Sequence, residues 1–204
     1  MISPRNYPTS QRVWEVIPPL LAGNTIIYKS ASACVWTAKL MSDILISVLP
    51  HGVFQSVYGS SALGDELIRL PVELLIFTGS TQVGQKIQHN ASQYLTQTYL
   101  ELGGSAPGII LPNTPINESM MQTITISRIR HAGQICDGLK RLFVHRDQYE
   151  ELRQALVSFF SGFIIGNPLD PKTDMGMLIS KQSQFDIQSA IDQSIAQGAQ
   201  KIEL

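Results

Sequence analysis

Two cysteines occur in 204 residues, Cys34 and Cys136, and their surroundings differ. Cys136 stands in HAGQICDG, residues 131–138, with Gly133 before it and Gly138 after it. Glycines let a backbone approach a ligand closely, and a turn N–H there can face a developing oxyanion. Cys136 is therefore the candidate nucleophile; a small apolar residue filling space is the alternative. Cys34 lies inside a helical pattern and reads as core. His131 precedes Cys136 by five residues, a spacing that does not align two side chains on a helix, so it is a weak candidate for an activating base. Glu101 ends YLELGG in an apolar strand. If buried, its carboxyl would resist ionisation, as a general base working near neutrality requires; pointing outward from an edge strand, it would not. FTGSTQVG, residues 77–84, reads as strand, turn and helix start, where free N–H groups attract phosphate. No run of His, Cys and carboxylates has metal-ligand spacing, so no metal is expected.

The elements that must hold these residues alternate. Strand patterns at 24–30, 52–58, 73–79, 97–104 and 106–112 are separated by helical patterns at 32–49, 61–70 and 80–95. In the helix at 32–49, Val35, Leu40, Ile44, Ile46 and Leu49 form the expected buried side, and Pro50 ends it. Ser80 or Thr81 is the expected cap of the helix at 80–95. Such alternation predicts parallel pairing with both faces of the sheet covered, and ligands beyond the carboxyl ends of the strands. The turns after Lys29, Thr78 and Glu101 are the places concerned. Further on, helices are expected at 117–132, 147–163 and 183–197, with strands at 141–145 and 199–204. A loop rich in Gly, Pro and Asp spans 166–177. Gly103 and Gly104 mark a boundary that divides 1–103 from 104–204. The fold class is α/β: a parallel Rossmann-like sheet followed by part of a second α/β domain.

Apolar content of 44% with 15% charged residues fits a globular chain and excludes disorder. A formal charge of -1 gives no reason to expect nucleic acid or an anionic membrane. The N-terminal MISPRNYPTSQ has no apolar core of signal-peptide length, the longest apolar runs, such as FFSGFIIG at 159–166, are far too short to span a bilayer, and two cysteines are too few for a disulfide framework, so a cytoplasmic protein is expected.

In order, PRNYP (4–8), LLAGNTIIYKS (20–30), FTGSTQVG (77–84), LELGG (100–104), GQIC (133–136) and GNPLDPKTDMGMLIS (166–180) resemble the aldehyde dehydrogenase superfamily. LELGGSAPGIIL is most similar to its succinate-semialdehyde dehydrogenase-like branch. The resemblance implies an NAD(P)-binding portion at 1–103 and a partial catalytic domain at 104–204. It implies that Cys136 attacks the aldehyde carbonyl, that Asn6 and the Cys136 N–H hold the oxyanion, and that Glu101 activates water to hydrolyse the thioester. Lys29 would reach the adenosine ribose, Gly79, Ser80 and Gly84 would lie near the pyrophosphate, and Leu102 and Gly103 would face the nicotinamide. Ser32 stands where the family often has a glutamate that repels a 2′-phosphate, so NADP as well as NAD is expected. The substrate would be a small aldehyde, and full-length members are homo-oligomers.

The chain departs from the pattern at Arg5 (usually Trp), Ser30 (usually Pro) and Asp137, a carboxylate beside the thiol that would disfavour its thiolate unless it points away. Family members are more than twice as long, so the resemblance implies truncation at both ends, with the segments that make dimers outside the chain. An inactive fragment serving as a binding module is the alternative function, and a cysteine hydrolase using His131 a third. Arg130 and Arg141 flank the nucleophile segment and are candidates to meet an anionic substrate, or structural arginines.

Overall fold

The computed structural model describes residues 1–202 and divides into two compact units, Met1–Gly103 and Gly104–Leu204. The first unit is built on parallel strands. β1 (Ile26–Lys29) pairs with β2 (Phe54–Val57), and β3 (Leu74–Gly79) pairs with β4 (Gln97–Leu102). The amino-terminal residues join the two pairs. Ile2 bridges Lys29 on one side and Phe77 on the other, with Ile2 N–H donating to the Ile76 carbonyl and Ser3 N–H to that of Lys29.

Helices follow the strands as the alternation predicts. α2 (Val35–Val48) lies between β1 and β2, after a 3₁₀ turn at Ser32–Cys34, and Leu49 is extended ahead of Pro50. α3 (Ser61–Leu67) lies between β2 and β3. α4 (Thr81–Ala91) lies between β3 and β4 and is capped by Ser80, whose hydroxyl accepts from Val83 N–H. Two apolar clusters hold this unit. Val16, Ile26, Tyr28 and Phe54 form one; Ile68, Leu75, Phe77 and Ile87 form the other.

Two features depart from the sequence reading. α1 (Ser10–Leu21) was not expected, and it carries Pro18 and Pro19 in its last turns. A proline there lacks a donor and crowds the preceding turn, and the helix ends two residues later at Leu21, followed by Ala22 and a left-handed Gly23. Its inward side holds Arg12, Glu15 and Val16. Arg12 donates to the Ala38 carbonyl at 2.6 Å and to Ser42 Oγ at 3.2 Å, with its guanidinium 4.0 Å from the Tyr28 ring centre. Thus a buried cation, held by a carbonyl, a hydroxyl and a π face, fastens α1 to α2. In turn α2 buries Ala38 and Ser42, the small residues that make room for Arg12, and exposes Leu40, Ile44 and Ile46. Of the five residues expected on the buried side, Leu40, Ile44 and Ile46 are outside, whereas Val35 and Leu49 are half-buried and Leu49 packs against the first cluster.

In the second unit, β5 (Ala106–Ile110) pairs in parallel with β6 (Leu139–Val144). α5 (Glu118–Arg128) is capped by Asn117, and α6 (Tyr149–Phe160) follows a 3₁₀ turn at Arg146–Gln148. Met121, Ile124 and Leu152 form its buried centre. The 166–177 loop is present, tied by a bridge between Ile165 and Met175, and α7 (Lys181–Ala196) is capped by Ser180. Residues 199–202 are not a strand, and 203–204, the rest of that expected element, lie outside the described residues.

The two environments predict opposite mutational outcomes. Ile87 is fully buried and Leu40 is 64% exposed. Ile87→Ala is expected to cost about 2–5 kcal/mol in urea unfolding, and Leu40→Ser less than about 0.5 kcal/mol. A large loss from Leu40→Ser would place the helical face as the sequence pattern has it.

Candidate active site

In the first unit the sequence-predicted residues gather at the carboxyl ends of the strands. Lys29 ends β1, Gly79 ends β3, and Glu101 and Leu102 end β4. The in-register pairs Thr78 with Glu101 and Gly79 with Leu102 put the last two ends side by side.

Lys29 is buried, and its ammonium donates to the Ser30 carbonyl at 3.2 Å. Burial lowers its pKa, because the ammonium has lost hydration. Ser32 Oγ donates to the Gly59 carbonyl at 3.0 Å and keeps its oxygen lone pairs as acceptors. Ser80 caps α4 and leaves amide donors at the first turn. An ammonium, a hydroxyl acceptor and a helix start at neighbouring strand ends are the donor set that a ligand with hydroxyls and phosphates needs. The glycines nearby serve packing. A Cβ at Gly79 would come within 2.3 Å of the Phe77 ring, and one at Gly84 within 2.6 Å of the Leu102 side chain. A Cβ at Gly103 would meet nothing within 4 Å, so its backbone lies open.

Glu101 is exposed, and Tyr99 hydrogen-bonds to it, raising the Tyr99 pKa by favouring the protonated phenol. Of the two readings left open for this carboxyl, the outward-facing one holds. Asn6 sits half-buried in the bend that leads into α1. Cys34 is half-buried at the end of its 3₁₀ turn rather than inside a helix core. Its thiol donates to the Arg5 carbonyl, and burial pushes its pKa up against the opposing pull of Arg5. That environment disfavours the thiolate.

In the second unit Cys136 is exposed. Cys136 and Asp137 form the centre of a turn closed by Gly138 N–H donating to the Ile135 carbonyl. Ile135 is 6% exposed and roots the turn. A Cβ at Gly138 would lie 2.7 Å from the Ile135 side chain, so the closure needs glycine. The approach to this turn is strained. His131 and Ala132 have φ of 54° and 53°, followed by Gly133 at 70°. Two non-glycine residues in the left-handed region mark a backbone held by its surroundings. The helix expected to run through 132 ends instead at Arg128, and the positive φ values turn His131 away from any helical alignment with Cys136.

What sequence reasoning missed here is Gln134. Its amide nitrogen donates to the His131 carbonyl at 3.0 Å, and its amide oxygen accepts from Ile179 N–H at 3.2 Å. One side chain thus braces the kink and ties it to the segment ahead of α7. A long polar residue between Gly133 and a buried Ile135 was the available signal. Arg141, a candidate for an anionic substrate, donates through Nε and Nη2 to the Ser105 carbonyl at 3.1 and 2.7 Å, which is a structural use. Arg130 is exposed on the 3₁₀ turn before the kink. Among the described residues no group of three or more His, Cys, Asp or Glu side chains could hold a metal, and no helix is long and apolar enough to cross a membrane.

The resemblance extends across the chain. It is 33% identical over 200 residues to a succinate-semialdehyde dehydrogenase [NADP(+)] of Mycobacterium avium, a match covering 97% of this chain and 42% of that protein. A protein of the same name from Mycobacterium tuberculosis is 32% identical over the same share of this chain and 44% of its own length. The chain therefore spans less than half the length of these relatives. Its fold superposes on betaine aldehyde dehydrogenase from Staphylococcus aureus, solved in complex with NAD+, with a TM-score of 0.92 and 30% identity, covering 98% of this chain and 40% of that one. An aldehyde dehydrogenase from Bartonella henselae gives a TM-score of 0.91 and 32% identity, over 98% of this chain and 42% of that one. With the aldehyde dehydrogenase family model matching residues 1–203, the chain belongs to the aldehyde dehydrogenase family.

Proposed function

We propose that this chain carries the nucleophile and part of the dinucleotide site of an NAD(P)-dependent oxidation of a small semialdehyde, such as succinate semialdehyde, to the carboxylic acid. The observation that carries the reading is the contrast between the two thiols. Cys136 is exposed on a turn rooted by Ile135, whereas Cys34 is held against a carbonyl in surroundings that oppose its thiolate.

Cys136 Sγ forms a bond to the aldehyde carbon, and the carbonyl electron pair moves onto oxygen. The amide of Asn6 and the Cys136 N–H are assigned as donors to that oxyanion; hydrogen bonds aimed at developing charge contribute most to such steps. Leu102 and Gly103 are the residues that would hold the nicotinamide end of a bound dinucleotide, which would supply the hydride acceptor for oxidation of the hemithioacetal carbon. Glu101 then takes a proton from water, the resulting hydroxide adds to the thioester carbon, and the C–S bond breaks to free the acid and the Cys136 thiolate. Glu101 is exposed, so the burial expected of a base is absent, and its assignment to this role rests on its place in the LELGG motif. Lys29 and Ser32 are assigned to the adenosine ribose, Gly79, Ser80 and Gly84 to the turn near the pyrophosphate, and Leu102 and Gly103 to the nicotinamide end. The mycobacterial relatives are named for NADP(+), and Ser32 brings no negative charge to a 2′-phosphate.

Cys136→Ala is expected to abolish aldehyde-dependent reduction of the dinucleotide. Glu101→Gln should leave one fast turnover and slow the steady state by about a hundredfold, the usual scale of general-base catalysis. Reduction that survives Cys136→Ala overturns the assignment. No turnover with any aldehyde in the unmodified chain supports the other reading, a member that keeps the fold without the reaction.

Cofactor choice is tested separately by calorimetry. Ser32→Glu should weaken NADP binding by about tenfold, since a like charge at short range costs on the order of 1 kcal/mol or more, and should leave NAD binding within about twofold. Binding of NAD alone by the unmodified chain would refute the expectation that NADP is accepted.

A further inference from the structure

We propose that Lys140 is a positioning residue that pins the turn bearing Cys136 to the Gly104 segment and sets a positive charge beside that turn. The proposal rests on the reading of Cys136 as the reactive thiol.

The observations begin with strand register. β5 and β6 pair Ala106 with Leu139, then Pro107 with Arg141, so Lys140 is the extra residue of a β-bulge. A bulge leaves its residue without a cross-strand partner and re-aims the side chain. Here it breaks the alternation of β6, so that Lys140 and Arg141 are both exposed in succession. The two side chains grip adjacent carbonyls. Lys140 Nζ donates to the Gly104 carbonyl at 2.6 Å, and Arg141 donates to that of Ser105. Lys140 Nζ donates also to the carbonyl of Cys136 at 3.1 Å.

That second bond has a specific consequence. The Gly138 N–H to Ile135 carbonyl bond closes the turn but does not fix the orientation of its central peptide, between Cys136 and Asp137. Turns differ by a flip of that unit. Holding the Cys136 carbonyl fixes it, and with it the backbone from which the thiol projects. A Cβ at Gly104 would already lie 3.9 Å from the same oxygen, so the two segments are in contact where the ammonium joins them. The ammonium retains a third donor and its full charge. It sits on the carbonyl of Cys136, in the turn that also carries Asp137. The Lys140 bonds are exposed and add a second tie to a turn whose own closure, from Gly138 N–H, is long at 3.4 Å.

The test uses the whole chain and two readouts that do not need cofactor or turnover. Alkylation of Cys136 is followed by mass spectrometry with iodoacetate and iodoacetamide, which differ in charge. In Lys140→Met the iodoacetate-to-iodoacetamide rate ratio at Cys136 should fall about threefold or more at low salt, as expected when a nearby charge is lost. Lys140→Arg should restore it to within about twofold, and the ratio at Cys34 should not change. Hydrogen exchange at residues 136–138 should quicken about tenfold in Lys140→Met and in Lys140→Gln, but not in Lys140→Arg. An unchanged ratio with unchanged exchange in a folded Lys140→Met chain overturns the proposal. If Cys136 in the unmodified chain reacts with neither reagent, the catalytic reading fails, while the exchange measurement still decides the clamp.

Discussion

The in-register parallel pairing of β3 with β4 is the constraint on which the first unit's chemistry depends. Parallel strands end on the same edge, and residues paired in register share a face. Thr78 therefore stands beside Glu101, and Gly79 beside Leu102. A slip of one residue would turn every side chain of β4 to the opposite face. Leu100 and Leu102 would leave the cluster of Leu75, Phe77 and Ile87, and Glu101 would be driven toward it. Burial of those leucines is thus what keeps Glu101 in water. The register is fixed by apolar packing, and Glu101, the group assigned as base, takes the face that the leucine cluster leaves over.

A second constraint sits on the other side of the same strands. Residues 1–3 run between β1 and β3, so the two strand pairs form one surface through Ile2. Over that surface α1 packs with polar residues inward. Glu15 accepts from the Thr78 hydroxyl at 2.6 Å and from the Gln11 amide at 3.2 Å, and Arg12 reaches Ala38, Ser42 and Tyr28. Buried polar groups are tolerated when they are paired. Arg12 is only partly so, since its Nε and Nη2 have no hydrogen-bond partner among the described residues. Its π contact with Tyr28 supplies the remaining favourable electrostatics.

This arrangement explains which elements were legible in the sequence. Strands rich in β-branched residues, the Ser80 cap and the strand–helix alternation rest on local chemistry, and the structure has them where local chemistry predicts. α1 was illegible because its signals conflict. Two prolines speak against a helix, and Arg12 and Glu15 look like surface residues when they are the buried ones. The face of α2 was misread for a related reason. A large cation from α1 needs small neighbours, so Ala38 and Ser42 take the inward side and the helix turns Leu40 and Ile44 out. Periodicity reports which residues could share a face, not which face a partner helix will claim. The motif residues of the candidate site were legible as motifs. The bulge at Lys140 was not, because it is a property of two strands together.

The loop ahead of Cys136 shows how such a site balances its energies. Two non-glycine residues in the left-handed region cost on the order of 1–3 kcal/mol each. Nothing in the local sequence repays that, so the kink persists only through contacts formed on folding. Arg128 donates to the Gly133 carbonyl, Gln134 to that of His131, and Ile179 N–H to Gln134. At about 1 kcal/mol each, these bonds are of the same order as the strain, and the burial of Ile135 adds the margin. The loop is thus held from outside, by α5 behind it and by the segment before α7. A turn rooted in this way can present an exposed thiol while its backbone stays fixed. On the proposed function, positioning by remote anchors follows from the chemistry, because a thiol assigned to form and break a bond cannot also serve as the peg.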